Sequence, residues 1–101
     1  MIKHIVMWKL KAFAEGEDKA ENAIRMKEIL EALPAKIPEI KRFEVGIDVS
    51  GSESAYDVVL YAEFDSVNAL ESYQENDDHL KAAEFIQKVR EERAAVDYEV
   101  Q

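Results

Sequence analysis

The chain has no cysteine, and its 101 residues include only three glycines and two prolines. The missing thiols exclude disulfides, thiolate metal sites and cysteine nucleophiles, and they leave the redox compartment unmarked. Positive charge is also scarce, with 13 Lys plus Arg against 22 Asp plus Glu and a formal net charge of -9. That balance repels a nucleic-acid backbone or an anionic membrane, so neither is expected as a partner. No apolar run approaches the roughly 20 residues of a membrane span. No leader is expected ahead of the first apolar stretch, and the expected location is cytoplasmic. The glycines lack phosphate-loop spacing and no flavin, nicotinamide or haem motif is present, so no cofactor is expected. At this length a single domain over residues 1–101 is expected, with a core small enough that association would help it.

What is present is a strong period-two signal at the start. Ile2 to Leu10 alternates into one face of Ile2, His4, Val6, Trp8 and Leu10 and another of Lys3, Ile5, Met7 and Lys9, because successive strand side chains point to opposite sides. The first face reads as core containing a histidine. The second is apolar in the middle and charged at both ends, as expected of a sheet face that meets another protein surface.

Ala12 to Glu17 reads as an acidic loop, and Asp18-Lys19-Ala20-Glu21 as a capping-box-like helix start. Ala23, Met26, Ile29, Leu30 and Leu33 then recur at helical spacing until Pro34 disfavours helix at the residue before it. Phe43 to Val49 and Tyr56 to Phe64 alternate as strands on either side of a polar turn. Asp65-Ser66 supplies N-cap chemistry for a short helix bearing Val67, Leu70 and Tyr73. After the acidic break at residues 75–78, His79 opens a further helix whose apolar stripe reads Leu80, Ala83, Ile86 and Val89, with Phe85 beside it. Val96, Tyr98 and Val100 close the chain as a final strand.

The order β-α-β-β-α-α-β is that of an α+β, ferredoxin-like split βαβ fold, with a four-stranded antiparallel sheet and helices on one face. The expected helix-covered core is Val6, Trp8, Phe43, Val45, Ile47, Val58, Leu60, Ala62, Val96 and Tyr98 with the helix stripes. The other face would present Ile5, Met7, Val59 and Tyr61 inside a rim of Lys3, Lys9, Arg42, Glu44, Asp57 and Glu63. A contiguous apolar patch with a charged rim marks an association surface, and a homodimer is the expected partner arrangement.

The opening His4-Ile5-Val6-Met7-Trp8-Lys9-Leu10-Lys11 and the later run Tyr56 to Ser66, followed by Leu70, Tyr73 and His79, together resemble the stress-responsive α/β-barrel, or Dabb, family over essentially the whole chain. The resemblance implies a ferredoxin-like monomer whose sheets pair into a dimeric α/β barrel. It also implies roles for particular residues. In a cofactor-independent polyketide cyclase of that family, which closes its chain by an aldol-type reaction, histidines matching His4 and His79 and a tyrosine matching Tyr73 line a pocket between sheet and helices. A further pocket histidine of the cyclase falls at Val58 here, and a helix tyrosine near Met26, so this chain departs from the cyclase's set.

His4, Tyr73 and His79 are therefore the candidate acid/base residues, since imidazole titrates near neutral pH and a phenol can donate to a developing enolate oxygen. Val6, Trp8, Val58 and Leu60 would line the pocket for a small apolar, carbonyl-bearing ligand. The competing readings are structural: His4 as a hydrogen-bonded core histidine, His79 as a helix-start residue, Tyr73 as amphipathic packing. Asp77, Asp78 and His79 could ligate a cation, but their spacing is not that of a recognised loop and no metal is expected. Two function classes follow. One is a small-molecule binding protein or cofactor-independent lyase-like or cyclase-like enzyme; the other is a non-enzymatic stress or stability protein that works as a dimer.

Overall fold

The computed structural model describes Met1–Gln101. Its elements are β1 (Ile2–Leu10), β2 (Phe13–Ala14), β3 (Glu17–Asp18), α1 (Lys19–Glu31), β4 (Arg42–Ile47), β5 (Val58–Phe64), α2 (Val67–Glu75), α3 (Asp77–Val89) and β6 (Arg90–Glu99). The main sheet has the order β4-β5-β1-β6 with every neighbouring pair antiparallel. This is the ferredoxin-like α+β arrangement, in which the three helices cover one face. No helix is long and apolar enough to cross a membrane.

The helix starts follow their caps. Asp18 accepts from the Glu21 amide at 2.9 Å and Ser66 from the Ala69 amide at 3.1 Å, each satisfying a backbone donor that the first turn leaves free. The acidic loop before α1 is more ordered than its composition suggests. Glu15 and Gly16 take φ of 50° and 79°, the paired positive values of a type I′ turn, and so β2 and β3 close a two-residue hairpin. Fully buried Asn22 on α1 holds that hairpin by donating to the Ala14 carbonyl at 2.9 Å.

The core joins Ile2, Val6, Trp8 and Leu10 of β1 and Val58, Leu60, Ala62 and Phe64 of β5 to Ala23, Met26 and Leu30 of α1. It also includes Ile37, in the turn after Pro34, which periodicity could not mark because no regular element contains it. Phe43 and Val45 pack from the edge strand as expected. Ile47 shares their face, opposite Val58, but lies at the strand's end and is more than a third exposed.

Two expectations are corrected. The stripe of α3 that faces the sheet is Ala82, Ile86 and Val89, and Leu80 is 50% exposed. The second correction concerns the last strand. Val96 pairs opposite Ile5 and Tyr98 opposite Lys3, which places both on the uncovered face, where Val96 is 53% exposed. Directly opposed residues share a face, so it is Arg93, Ala95 and Asp97 that join Trp8, Val6 and His4 on the helix side. The uncovered face is thereby larger than expected, with Val96 and Tyr98 extending the patch of Ile5, Met7, Val59 and Tyr61.

Candidate functional site

A cavity of about 320 Å³ opens between the covered face of the sheet and the helices, within the size range of small-molecule sites. β1 contributes His4, Val6 and Trp8, β5 Leu60, α1 Leu30, α2 Tyr73 and Gln74, α3 His79, Ala82, Ala83, Ile86 and Gln87, and β6 Arg90 and Arg93. Of the residues expected here from sequence, all but Val58 line it. Val58 is buried on the same face without reaching the cavity.

The α2–α3 junction explains how Tyr73 and His79 meet. Asn76 ends α2 by donating its amide to the Tyr73 carbonyl at 3.2 Å and starts α3 by accepting from the Asp78 amide at 2.8 Å. One residue therefore caps both helices, leaving no loop to separate the last turn of α2 from the first of α3. The Tyr73 ring comes to 4.5 Å from the His79 ring and 6.0 Å from the His4 ring, centroid to centroid. Phe64 and Phe43 complete its surround at 4.9 and 6.1 Å.

Both histidines are anchored through the same ring nitrogen. His4 Nδ1 pairs with the Asp97 carboxylate across the β1–β6 ladder, and His79 Nδ1 lies 3.2 Å from the Gln74 carbonyl. The tautomer that satisfies two such acceptors carries its proton on Nδ1, which leaves Nε2 with a free lone pair in each ring. Asp97 escaped the sequence reading because the last strand was phased the other way. The signal that could have found it is that a buried imidazole on a central strand needs a polar partner, and β6 supplies one only if Asp97 faces inward.

Burial holds His79 below the ordinary imidazole pKa, and His4 and Arg93 act in the same direction against the Gln74 carbonyl. Its ring is then neutral near pH 7 and available as a base. A folded-state value below the unfolded one means that the unfolded chain binds more protons between the two, so this contribution to stability is present above about pH 6.5 and lost as pH falls. His79→Gln is accordingly expected to shallow the fall in urea midpoint on the acid side of about pH 6.5. An unchanged slope there would place His79 in an unburied environment.

Tyr73 completes the set. It is a fully buried residue of the cavity wall, and its hydroxyl has no hydrogen-bond partner. Burial pushes its phenol well above the usual tyrosine value, so it stays protonated as a donor. Asp77 and Asp78 do not join His79 in a ligand set, and nowhere do three His, Asp or Glu side chains converge as metal ligands.

The sequence profile of the stress responsive A/B barrel domain family (Dabb) matches residues 2–100. No functionally curated protein matches the chain. Among solved structures, a dimeric protein of unknown function and ferredoxin-like fold from Bacteroides fragilis is 37% identical with TM-score 0.87, the match covering 98% of this chain and 95% of that one. A dimeric ferredoxin-like protein of unknown function from Thermobifida fusca is 26% identical with TM-score 0.83, covering 98% and 90%. The hydroxynitrile lyase from Passiflora edulis shares the fold at 18% identity and TM-score 0.79, covering 99% and 93%.

Proposed function

We propose a function from one premise, which is that this chain belongs to the stress responsive A/B barrel domain family. It acts as a homodimer, joined through the uncovered sheet face, that takes a small apolar carbonyl compound into the cavity of each subunit and performs acid/base chemistry on it without a cofactor. The observation that carries this reading is the buried Tyr73 hydroxyl with no partner of its own, on a residue that lines the cavity together with two Nδ1-anchored histidines. A buried polar group left unpaired costs stability, and a ligand oxygen is the partner that would repay it.

In such a site an imidazole Nε2 removes a proton from the carbon next to the carbonyl, and the electron pair moves to the carbonyl oxygen. The Tyr73 hydroxyl donates to the enolate oxygen so formed. Asp97 stabilises the Nδ1–H tautomer of His4 and the imidazolium that would follow. Fold-level analogy is compatible, since a hydroxynitrile lyase is built on the same architecture; analogy of this kind carries less weight than the site.

The test is a thermal-shift panel of aromatic and polyketide-like ketones and acids on the wild type and on His4→Gln. A ligand at a hundredfold excess over its Kd stabilises by about 2.7 kcal/mol, upward of about 10 °C in Tm for a domain of this size. We expect at least one such shift in the wild type, weakening as pH falls through the imidazole range. His4→Gln should fold and lose most of the shift. A panel with no shifts, or a full shift in the variant, would favour the dimer acting as a non-enzymatic stability protein.

A further inference from the structure

We propose that the cavity's ligand is an anion, a small apolar carboxylate bearing the carbonyl group, and that Arg90 and Arg93 hold its carboxylate at the cavity mouth. This deepens the site reading above and rests on it. The argument begins with an irregularity in the sheet. Trp8 lies opposite Arg93 and Lys9 opposite Glu92, but Leu10 lies opposite Arg90, so Glu91 has no counterpart and β6 carries a bulge. Residues three apart on a regular strand point to opposite faces. The bulge cancels that alternation, setting both arginines opposite residues of the covered face, and both line the cavity. Bulges of this kind re-aim side chains and are enriched beside functional sites.

The charges themselves are unspent. No ion pair in the structure includes either guanidinium, although the chain carries 22 acidic residues against 13 basic ones. Acidic neighbours were available and the geometry avoids them: Glu92, beside Arg93, turns to the other face and meets Lys9 at 4.0 Å. The field of Arg93 reaches inward to both Tyr73 and His79. A chain with net charge -9 repels anions at long range, so a carboxylate ligand needs local cations, and a guanidinium offers the paired donors that match carboxylate oxygens. The apolar lining from Trp8 and Leu60 would take the remainder of the molecule.

The experiment compares 4-phenyl-2-oxobutanoate with 4-phenylbutan-2-one, in which a methyl group replaces the carboxylate. Trp8, the chain's one tryptophan, lines the cavity and reports binding by its emission, with calorimetry as a second readout. In the wild type the oxoacid should bind about tenfold or more tighter than the ketone, the size of effect typical of hydrogen bonds to a charged group. That ratio should shrink as salt is added, and in Arg90→Gln/Arg93→Gln it should fall to near one. If the ketone binds and the oxoacid gains nothing, or the preference survives the double substitution, the anion proposal is overturned and the carbonyl site stands. If neither compound moves Trp8 emission or yields heat at millimolar concentration, the site reading fails and takes this inference with it.

Discussion

Truncating Tyr73 to alanine is expected to lower stability by about 3–5 kcal/mol, the range for removing a large buried aromatic, whereas Tyr73→Phe is expected to leave stability unchanged or raise it. The contrast follows from what each change removes. Alanine takes away a fully buried ring that touches His4, Phe43, Phe64 and His79, and the existing cavity beside it leaves the neighbours little reason to collapse inward. Phenylalanine removes only a hydroxyl with no hydrogen-bond partner, whose desolvation costs about 1–3 kcal/mol that nothing in the free protein returns. Urea unfolding of the three proteins measures both changes. The phenylalanine variant should nevertheless bind carbonyl ligands more weakly. A loss of more than about 1 kcal/mol for Tyr73→Phe, the worth of an ordinary hydrogen bond, would mean that the hydroxyl is already satisfied without a ligand.

The second large effect concerns assembly. Met7 and Val59 sit opposite each other at the middle of the uncovered face, each 36% exposed in the single chain. Ile5, Tyr61, Val96 and Tyr98 surround them on the same side. Val59→Lys or Met7→Glu would bury an unpaired charge in the proposed interface, a penalty of about 3–5 kcal/mol, which weakens association by more than about a hundredfold. Light scattering over a concentration series should show dimers for the wild type and monomers for either variant. A fully dimeric variant, or a monomeric wild type, would move the interface off this face.

How much of this was legible in the residues depends on what distinguishes one side of a strand from the other. In β1 the polar marks are Lys3 and Lys9 at the ends and His4 within, and the pattern separates the faces correctly. In β6 the apolar set Val96, Tyr98 and Val100 looks like core because hydrophobicity marks burial without saying against what. A sheet with apolar residues on both faces removes the distinction, and Asp97 and Glu99, which alternate with that apolar set, read as its solvent side. The partner of His4 was lost with it. Helix α1 was readable because Asp18 and Pro34 bracket it. The stripe of α3 was shifted because Leu80 outweighs Ala82 in hydropathy, although the small residue fits where the helix meets the sheet. The bulge at Glu91 has no signature in a single sequence, so the joint facing of Arg90 and Arg93 is visible only in the fold.

The corrected phase of β6 gives that strand two occupations. Arg93, Ala95 and Asp97 share the helix-covered face, where Arg93 lines the cavity, while Val96 and Tyr98 lie on the uncovered face. If the proposed ligand site and interface hold, substitutions at Arg93 or Asp97 would alter which ligand is accepted and those at Val96 or Tyr98 would alter assembly, so selection could revise the two as separate traits. The arrangement has one shared vulnerability. A slip of a single residue along β1 would exchange the two sets, taking the Asp97 carboxylate from His4 and Val96 and Tyr98 from the uncovered face in the same event. Because α3 runs into β6 with no residue between Val89 and Arg90, an added residue at that junction has no slack to absorb it.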